Sequence, residues 1–518
     1  EKRMGYLMGI DIGSTTIKAV VYDDRGNHIA SGSQQTPLTY DKKQPAWCVW
    51  EPQRIWDCVV YSIMEALSKL PDPHTVTALA VTGFGMDGLP LDAEGKPLYP
   101  IISWHCPRTI PQSEALSKKA GAKYIFEQTG KQVQSIDSVY RMMWMQENHP
   151  QIMEQTKTWL LIEDFVNFML CGEMATDYSM ATTTSVFDVK THEWCKSLID
   201  QAGVPDTIFP HPRQAGHVLA EVLPMVARQT GLSPQTKVVL GGHDYICGAL
   251  AVGAIDEGVL MDITGTWEMV VQASAKADTS EQIFNSGFYI EGHVVPERYC
   301  YVGCTVSGDM TEWLKKNLAA EEKLIAETQG IGIWDAITQA CGQSVAGSRG
   351  CIFLPHFSGA GTPYHDADSM GAFLGMHNQI RNQDMIRSVI EGLNYQFRMM
   401  VDAFAGNCLG EAQKIVAIGG ATRNGFWMQN KADVVGCRLE VPAIYEATPL
   451  GAAMVAGMGT GVFKDAREAV EAVRKDVVVY EPDRAAHEIY EEYYQNIYCK
   501  LQFVLKDINR EISKRVRQ

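Results

Sequence analysis

Asp11 closes an apolar run, Tyr6 to Ile12, and is followed by Gly13-Ser14-Thr15-Thr16 and then Lys18. A carboxylate at a strand end, beside a hairpin rich in glycine and hydroxyls, can hold a hydrated Mg2+ and offer amides and hydroxyls to phosphate oxygens. A plain β-hairpin accounts for the same residues through turn chemistry alone. A second turn of this kind, Thr264-Gly265-Thr266-Trp267-Glu268, follows the apolar run Val259 to Ile263. Either turn alone is ordinary; two in corresponding places argue for phosphates clasped from two sides. Gly241-Gly242-His243-Asp244 sets an acid just past another strand, at the start of an apolar helix. There it can take the proton of a hydroxyl as that hydroxyl attacks phosphorus. Its structural alternative is to cap the helix. His243 can hydrogen-bond a polar ligand or serve as a satisfied core residue.

Three further segments carry weaker signals. Gly83-Phe84-Gly85-Met86-Asp87-Gly88 matches GxGxxG after a strand, but Leu89-Pro90, Gly95, Pro97 and Pro100 follow it. Those residues cannot build the helix whose N-terminus would hold a pyrophosphate. A loop that brings Asp87 and the backbone close to a small polar ligand fits better. Gly419-Gly420-Ala421-Thr422-Arg423-Asn424 follows a strand and precedes a helix near Phe426. Its glycines admit a flat ring and Asn424 can contact a nucleoside, or Asn424 simply caps the helix. Glu446 to Ala453 starts a small-residue helix suited to close packing. The chain has no Walker A sequence.

The elements that must position these residues read as two α/β halves. Strand, tight turn, strand, polar turn and strand open the chain, a β-meander. A helix follows from about Pro52 to Leu70, with Ile55, Trp56, Val59, Ile63 and Leu67 on one face. Val76 to Val81 reads as a buried strand ending at Gly83, and Val238 to Leu240, Val259 to Ile263 and Lys414 to Ile418 read likewise. Strand-to-glycine-turn units open both halves, which suggests duplication without a residue-level repeat. The expected boundary lies near residue 255, giving domains over 1–255 and 256–518. About Ala485 to Arg517 reads as a long packing helix with a basic end.

The chain of 518 residues is 46% hydrophobic, longer than one core usually serves, which supports two domains. With 45 basic and 61 acidic residues its net charge is −16, so nucleic acid and anionic membranes are excluded as partners. A polyanion such as ATP must be held by local amides and a metal ion. No apolar stretch is long enough to cross a bilayer, and the first residues lack the layout of a signal peptide. The 13 cysteines are scattered, and Cys300 and Cys304 have the wrong spacing for a zinc ribbon. They read as reduced, buried residues of a cytoplasmic protein.

In this order, DIGSTTIK, AVTGFGMDG, IISWHCPRT, GGHD, TGTWE, LPHFSGAGTP, GGATRN and EATPLGAA resemble the FGGY carbohydrate kinases of the actin/hexokinase/Hsp70 superfamily. The resemblance spans almost the whole chain and is specific as an ordered set. Within the family the segments look most like L-fuculokinases, with rhamnulokinases as relatives. His105 stands in a place where glycerol and xylulose kinases usually carry Asp, and Ala360-Gly361 where many relatives have a charged pair. Both leave the sugar open. The resemblance implies two actin-like (ribonuclease H-like) α/β domains around an active-site cleft, an ATP site between them, and Asp11 organising Mg2+. It implies Gly13, Ser14, Thr15 and Thr16 near the γ-phosphate, and Thr264, Gly265 and Thr266 holding phosphates from the second domain. Gly420, Ala421 and Asn424 would border the nucleoside. Asp87, Trp104, Arg108, His243 and Asp244 would line the sugar pocket, with Asp244 the base. A homodimer is a family-level expectation. The expected activity is phosphoryl transfer from ATP to a ketose, L-fuculose or a similar deoxyhexulose. Its rivals are another carbohydrate (xylulose, rhamnulose, a linear signalling carbohydrate), a non-catalytic sensor, and a chaperone-like ATPase.

Overall fold

The computed structural model describes residues 5–265, 267–407 and 409–516. The first half is organised on a six-stranded sheet. Its strands β1 (Tyr6–Ile12), β2 (Thr16–Tyr22) and β3 (His28–Gln35) form the meander expected from the sequence. On the other side of β1 lie β4 (Val76–Gly83) and β6 (Lys237–His243), both parallel to it, with β5 (Val218–Glu221) antiparallel at the edge. The central strand β1 buries Leu7, Met8, Ile10 and Ile12, apolar on both faces, because helices cover the sheet from both sides.

The second half repeats this plan. Its strands are β7 (Val259–Thr264), β8 (Trp267–Ser274), β9 (Tyr289–Gly292), β10 (Tyr299–Val306), β11 (Lys414–Ile418), β12 (Leu439–Pro442) and β13 (Val477–Tyr480). The spatial order β10-β8-β7-β11-β12-β13 matches β3-β2-β1-β4-β6-β5. The two series also agree at each step in strand direction: antiparallel, antiparallel, parallel, parallel, antiparallel. The duplication is therefore topological, with β9 added at one edge.

Five helices matter for the site. Helix α1 (Pro52–Ser68) lays Ile55, Trp56, Val59, Ile63 and Leu67 against β2 and β3, and α2 (Ile162–Cys171) packs near β4. Helix α3 (Asp244–Ala251) leaves the end of β6, α4 (Gly425–Val435) follows β11, and α5 (Ala447–Gly459) follows β12. The expected helix at the C-terminus is interrupted: Arg484–Tyr493 runs into a π-helical stretch, Tyr494–Tyr498, before the helices Cys499–Val504 and Lys506–Val516. No helix follows Gly88; Gly88–Leu91 is a strand.

The halves are joined by α3 and α5, which cross between the two sheets. Their shared core takes Leu7, Ala78 and Val239 from the first sheet and Met261, Val271 and Val302 from the second. Small residues make the crossing close. A Cβ on Gly451 would stand 1.8 Å from the Cys247 carbonyl oxygen, and one on Gly9 would stand 1.8 Å from that of Pro449. Gly451→Ala should therefore cost at least about 3 kcal/mol. Gly248→Ala, whose Cβ meets nothing nearer than 3.7 Å, should stay within about 1 kcal/mol of the parent. Denaturant unfolding of the two variants checks this contrast.

Candidate active site

A cleft of about 1060 Å³ lies between the halves. Asp11 and the turn Gly13 to Thr16 form part of one wall, with Trp104, His243 and Asp244 on the same half; Trp267, Glu291 and Gly361 face them from the second half. The β1–β2 hairpin sets Asp11 opposite Lys18 in the strand register. Its turn is pinned by Gly13 N–H donating to the Thr16 carbonyl at 3.2 Å and by the Thr36 hydroxyl donating to the Gly13 carbonyl at 2.5 Å. A Cβ at Gly13 would lie 2.6 Å from the Thr16 carbonyl oxygen, so the turn requires glycine. Burial, reinforced by the charge of Asp244, pushes the Asp11 carboxyl up to about 8, against the pull of Lys18. That lysine is engaged elsewhere: its Nζ donates to Glu446 at 2.7 Å.

Asp244 opens α3. Two glycines deliver it, because a Cβ at Gly241 would sit 1.9 Å from the Val81 carbonyl oxygen and one at Gly242 2.4 Å from Val294. The chain is fixed there by the Thr82 hydroxyl donating to the Gly242 carbonyl and by His243 N–H donating to the Ser179 hydroxyl. Asp244 keeps its side chain about one-third exposed to the cleft while its Oδ1 accepts from the Tyr245 amide at 2.6 Å. Burial raises its carboxyl and the neighbouring His243 lowers it.

Behind Asp244 lies a set of buried charges that the sequence did not reveal. His243 Nδ1 stands 2.8 Å from Glu291 Oε2, and the same oxygen accepts from the Tyr245 hydroxyl at 2.5 Å. Lys131 Nζ donates to Glu291 Oε1 at 3.0 Å and lies 3.9 Å from Asp137. Burial alone would lower the His243 imidazole; Glu291, with Asp244 and Glu163, outweighs it and raises the ring to about 9. Burial would likewise raise Glu291, but Lys131, His243 and Tyr245 hold it at about 2. Glu163 Oε1 accepts from Gly85 N–H at 2.9 Å, and burial pushes this carboxyl up to about 8. The only available signal for Glu291 was an acid inside the apolar run Phe288-Tyr289-Ile290 to Gly292.

The residues expected at the sugar do not all reach the cleft. Asp87 is fully buried behind its wall, where its Oδ2 accepts from the Trp50 indole at 2.7 Å and from Trp104 N–H at 2.9 Å. Burial pushes it up to about 7, opposed by Arg141, whose guanidinium is 3.7 Å away. Arg108 is also buried, stacked on Trp47 and Trp144, with Nε donating to Cys106 Sγ. Asp87 thus holds the Trp104 segment through Oδ2 and leaves Oδ1 without a hydrogen-bond partner, while Arg108 packs into the aromatic pair Trp47 and Trp144.

On the second half, Thr264 is buried and its hydroxyl donates to Asp262 at 3.0 Å. Gly265 and Trp267 are exposed, and Thr266 lies outside the described residues. Gly420 and Ala421 form a short 3-10 turn, and Asn424 Oδ1 accepts from Trp427 N–H at 3.1 Å, capping α4. This turn abuts the one at Thr264, since a Cβ at Gly419 would stand 2.4 Å from the Thr264 carbonyl oxygen. None of Thr264, Gly265, Gly420, Ala421 and Asn424 lines the main cavity.

A model of the FGGY carbohydrate kinase N-terminal domain matches residues 6–251, and one of the C-terminal domain matches residues 260–460. The chain belongs to the FGGY family of carbohydrate kinases. The kinase is 27% identical to the xylulose kinase of Bacillus subtilis, over 98% of this chain and 99% of that one. It is also 27% identical to the L-fuculokinase of Escherichia coli O157:H7, over 89% and 94% of the two chains. The crystal structure of gluconate kinase from Lactobacillus acidophilus superposes with a TM-score of 0.87 at 22% identity, over 97% of this chain and 98% of the other. The fold is thus the two-domain α/β kinase fold. Among the described residues, no helix is long and apolar enough to cross a membrane.

With Asp87 accepting from the Trp50 indole and the Trp104 amide, its loss should loosen the Trp104 wall of the cleft. Asp87→Ala should raise the KM for the sugar about tenfold or more, by analogy with other small misplacements, and leave the KM for ATP within about twofold. Steady-state kinetics in both substrates checks this.

Proposed function

We propose that this kinase transfers the γ-phosphoryl group of ATP to a primary hydroxyl of a ketose, with Asp244 as the base. The observation that carries the reading is the meeting of Asp11 and Asp244 in one cleft between two halves of duplicated topology. Asp244 accepts the hydroxyl proton as the sugar oxygen bonds to the γ-phosphorus, and the bond from that phosphorus to the β-bridging oxygen breaks to release ADP. Amides and hydroxyls of the Gly13 to Thr16 turn bind and orient the phosphates, and Trp104 with His243 flanks the acceptor. The backbone around Gly265 and the adjoining Gly420 turn face the nucleotide from the second half. Closing the halves excludes water, which would otherwise compete as acceptor.

The residues present fit a divalent cation. Burial above all raises the Asp11 carboxyl, and Asp244 and Glu446 add negative charge at this corner against the cation Lys18. No group of three or more His, Cys, Asp or Glu able to hold a metal occurs among the described residues. Mg2+ suits such a site because it takes one or two carboxylates and completes its shell with water and substrate phosphates. Asp11 would hold it, and when bound it would neutralise charge on the transferring phosphate.

For the acceptor, L-fuculose or a related deoxyhexulose follows from the sequence resemblance, and xylulose has equal support from the relatives. Trp104 and His105 sit at the cleft with stacked rings, 3.8 Å between centroids. The Ser103 hydroxyl lies 3.1 Å from His105 Nδ1, which leaves Nε2 for a sugar hydroxyl. Release of ADP from Mg-ATP should rise strongly with one ketose of a panel led by L-fuculose, L-rhamnulose and D-xylulose. Turnover without sugar dependence would point to an ATPase, and no turnover with any sugar to a sensor. Asp244→Asn should lower kcat by about two orders of magnitude or more while sugar binding, read by calorimetry, persists. Near-normal turnover in that variant would remove Asp244 from its role.

A further inference from the structure

We infer that Glu291, which the second half contributes, is a positioning residue for phosphoryl transfer: through His243 it fixes the group that adjoins the base on the first half. This rests on the reading of Asp244 as that base. Glu291 lies on β9, the strand with no counterpart in the first sheet. Its carboxylate spans the seam, taking Lys131, His243 and Tyr245 from the first half as partners. An ionised carboxylate only accepts, so His243 donates from Nδ1. That fixes the ring, with Nε2 aimed at Asp244 Oδ1, 3.6 Å away.

The geometry is a chain of carboxylate, imidazole and carboxylate that begins on one half and ends at the reacting centre on the other. With Glu291 in place His243 carries a proton near neutral pH. Burial raises the Asp244 carboxyl, and the cation beside it opposes that rise and favours the ionised form that can accept a proton. Other charges face these groups. Glu163 and Asp244 face His243, and His243 and Glu291 face Asp244. Asp244 in turn raises Asp11. Lys131 faces Glu291, with Asp137 on its other side. Of all these, only Glu291 bonds the imidazole and belongs to the second half. Removing its charge while keeping its shape lets His243 lose its proton, and Asp244 then stays protonated to higher pH. Because the carboxylate comes from the opposite half, the base is completed only where the two halves meet.

The experiment is a double-mutant cycle on the full chain with Glu291→Gln and His243→Asn, assayed against pH with the sugar that the panel selects. Glu291→Gln should lower kcat about 10- to 100-fold and leave the KM for ATP within about twofold. The acid limb of its kcat/KM profile for the sugar should move up by about one pH unit. In the His243→Asn background the same substitution should add less than about threefold. An unmoved acid limb, or effects that multiply in the double variant, would overturn the proposal, since a merely structural Glu291 predicts both. If Glu291→Gln does not fold, Glu291→Asp replaces it in the cycle, with a smaller loss that must again vanish without His243. Asp244→Asn run in parallel separates the two readings. If it is active the base assignment fails; if it is inactive while the cycle is additive, only the role of Glu291 fails.

Discussion

The arrangement depends on one close crossing. Helices α3 and α5 pass between the two sheets at a separation that only Gly451 on one helix allows, against the Cys247 carbonyl of the other. Helix α3 carries Asp244 at its first residue, and α5 is anchored at its start, where the Tyr22 hydroxyl donates to the Tyr445 and Glu446 carbonyls and Lys18 bonds the Glu446 side chain. The contact that joins the halves therefore also sets the distance between the acidic corner at Asp11 and the Asp244 carboxylate. Interiors are packed too densely for such a crossing to widen without loss elsewhere. Small residues here serve geometry that a catalytic account alone would overlook.

Topological duplication does not bring duplicated chemistry. The central strands β1 and β7 occupy the same place in their sheets, and each bears an aspartate within its last three residues. Asp11 opens to the cleft. Asp262 is sealed inside the second half, where Lys431 Nζ donates to it at 2.6 Å and also bonds Glu268. Burial without a cation would be costly for either acid, and Lys431 supplies one from α4. One half thus leaves its carboxylate short of positive charge, a condition suited to a metal ion. The other satisfies it internally and offers backbone at the Gly265 and Gly420 turns instead.

A second layer of buried charge supports the side of the cleft that carries Trp104 and His243. Asp87 and Arg141 hold the Trp104 segment from behind, while Lys131, Glu291 and His243 bridge the seam. Most of these groups are fully buried, and each has a partner of opposite charge or a strong donor. Buried polar groups so arranged fix side-chain orientation more than they add stability. Rigid support of this kind keeps a catalytic constellation within the tolerances that transfer requires.

What the sequence determined by itself follows from local rules. Apolar runs ending in glycine marked β1, β4, β6, β7 and β11, because strands buried on both faces need uninterrupted apolar residues and their turns need glycine. That Asp11 and Asp244 line one cleft, and the family as a whole, were legible from short ordered motifs. Only the tertiary structure decided which polar residues face the cleft. Asp87 and Arg108 stand in polar loop segments of the chain, yet both are buried, Asp87 against Trp50 and Trp104 and Arg108 between Trp47 and Trp144. Asn424 and Thr264 likewise spend their side chains on a helix cap and on Asp262. Glu291 and Lys131, 160 residues apart in the chain, gave no comparable signal. A buried ion pair depends on burial and on partners from distant segments, and neither is written in local spacing.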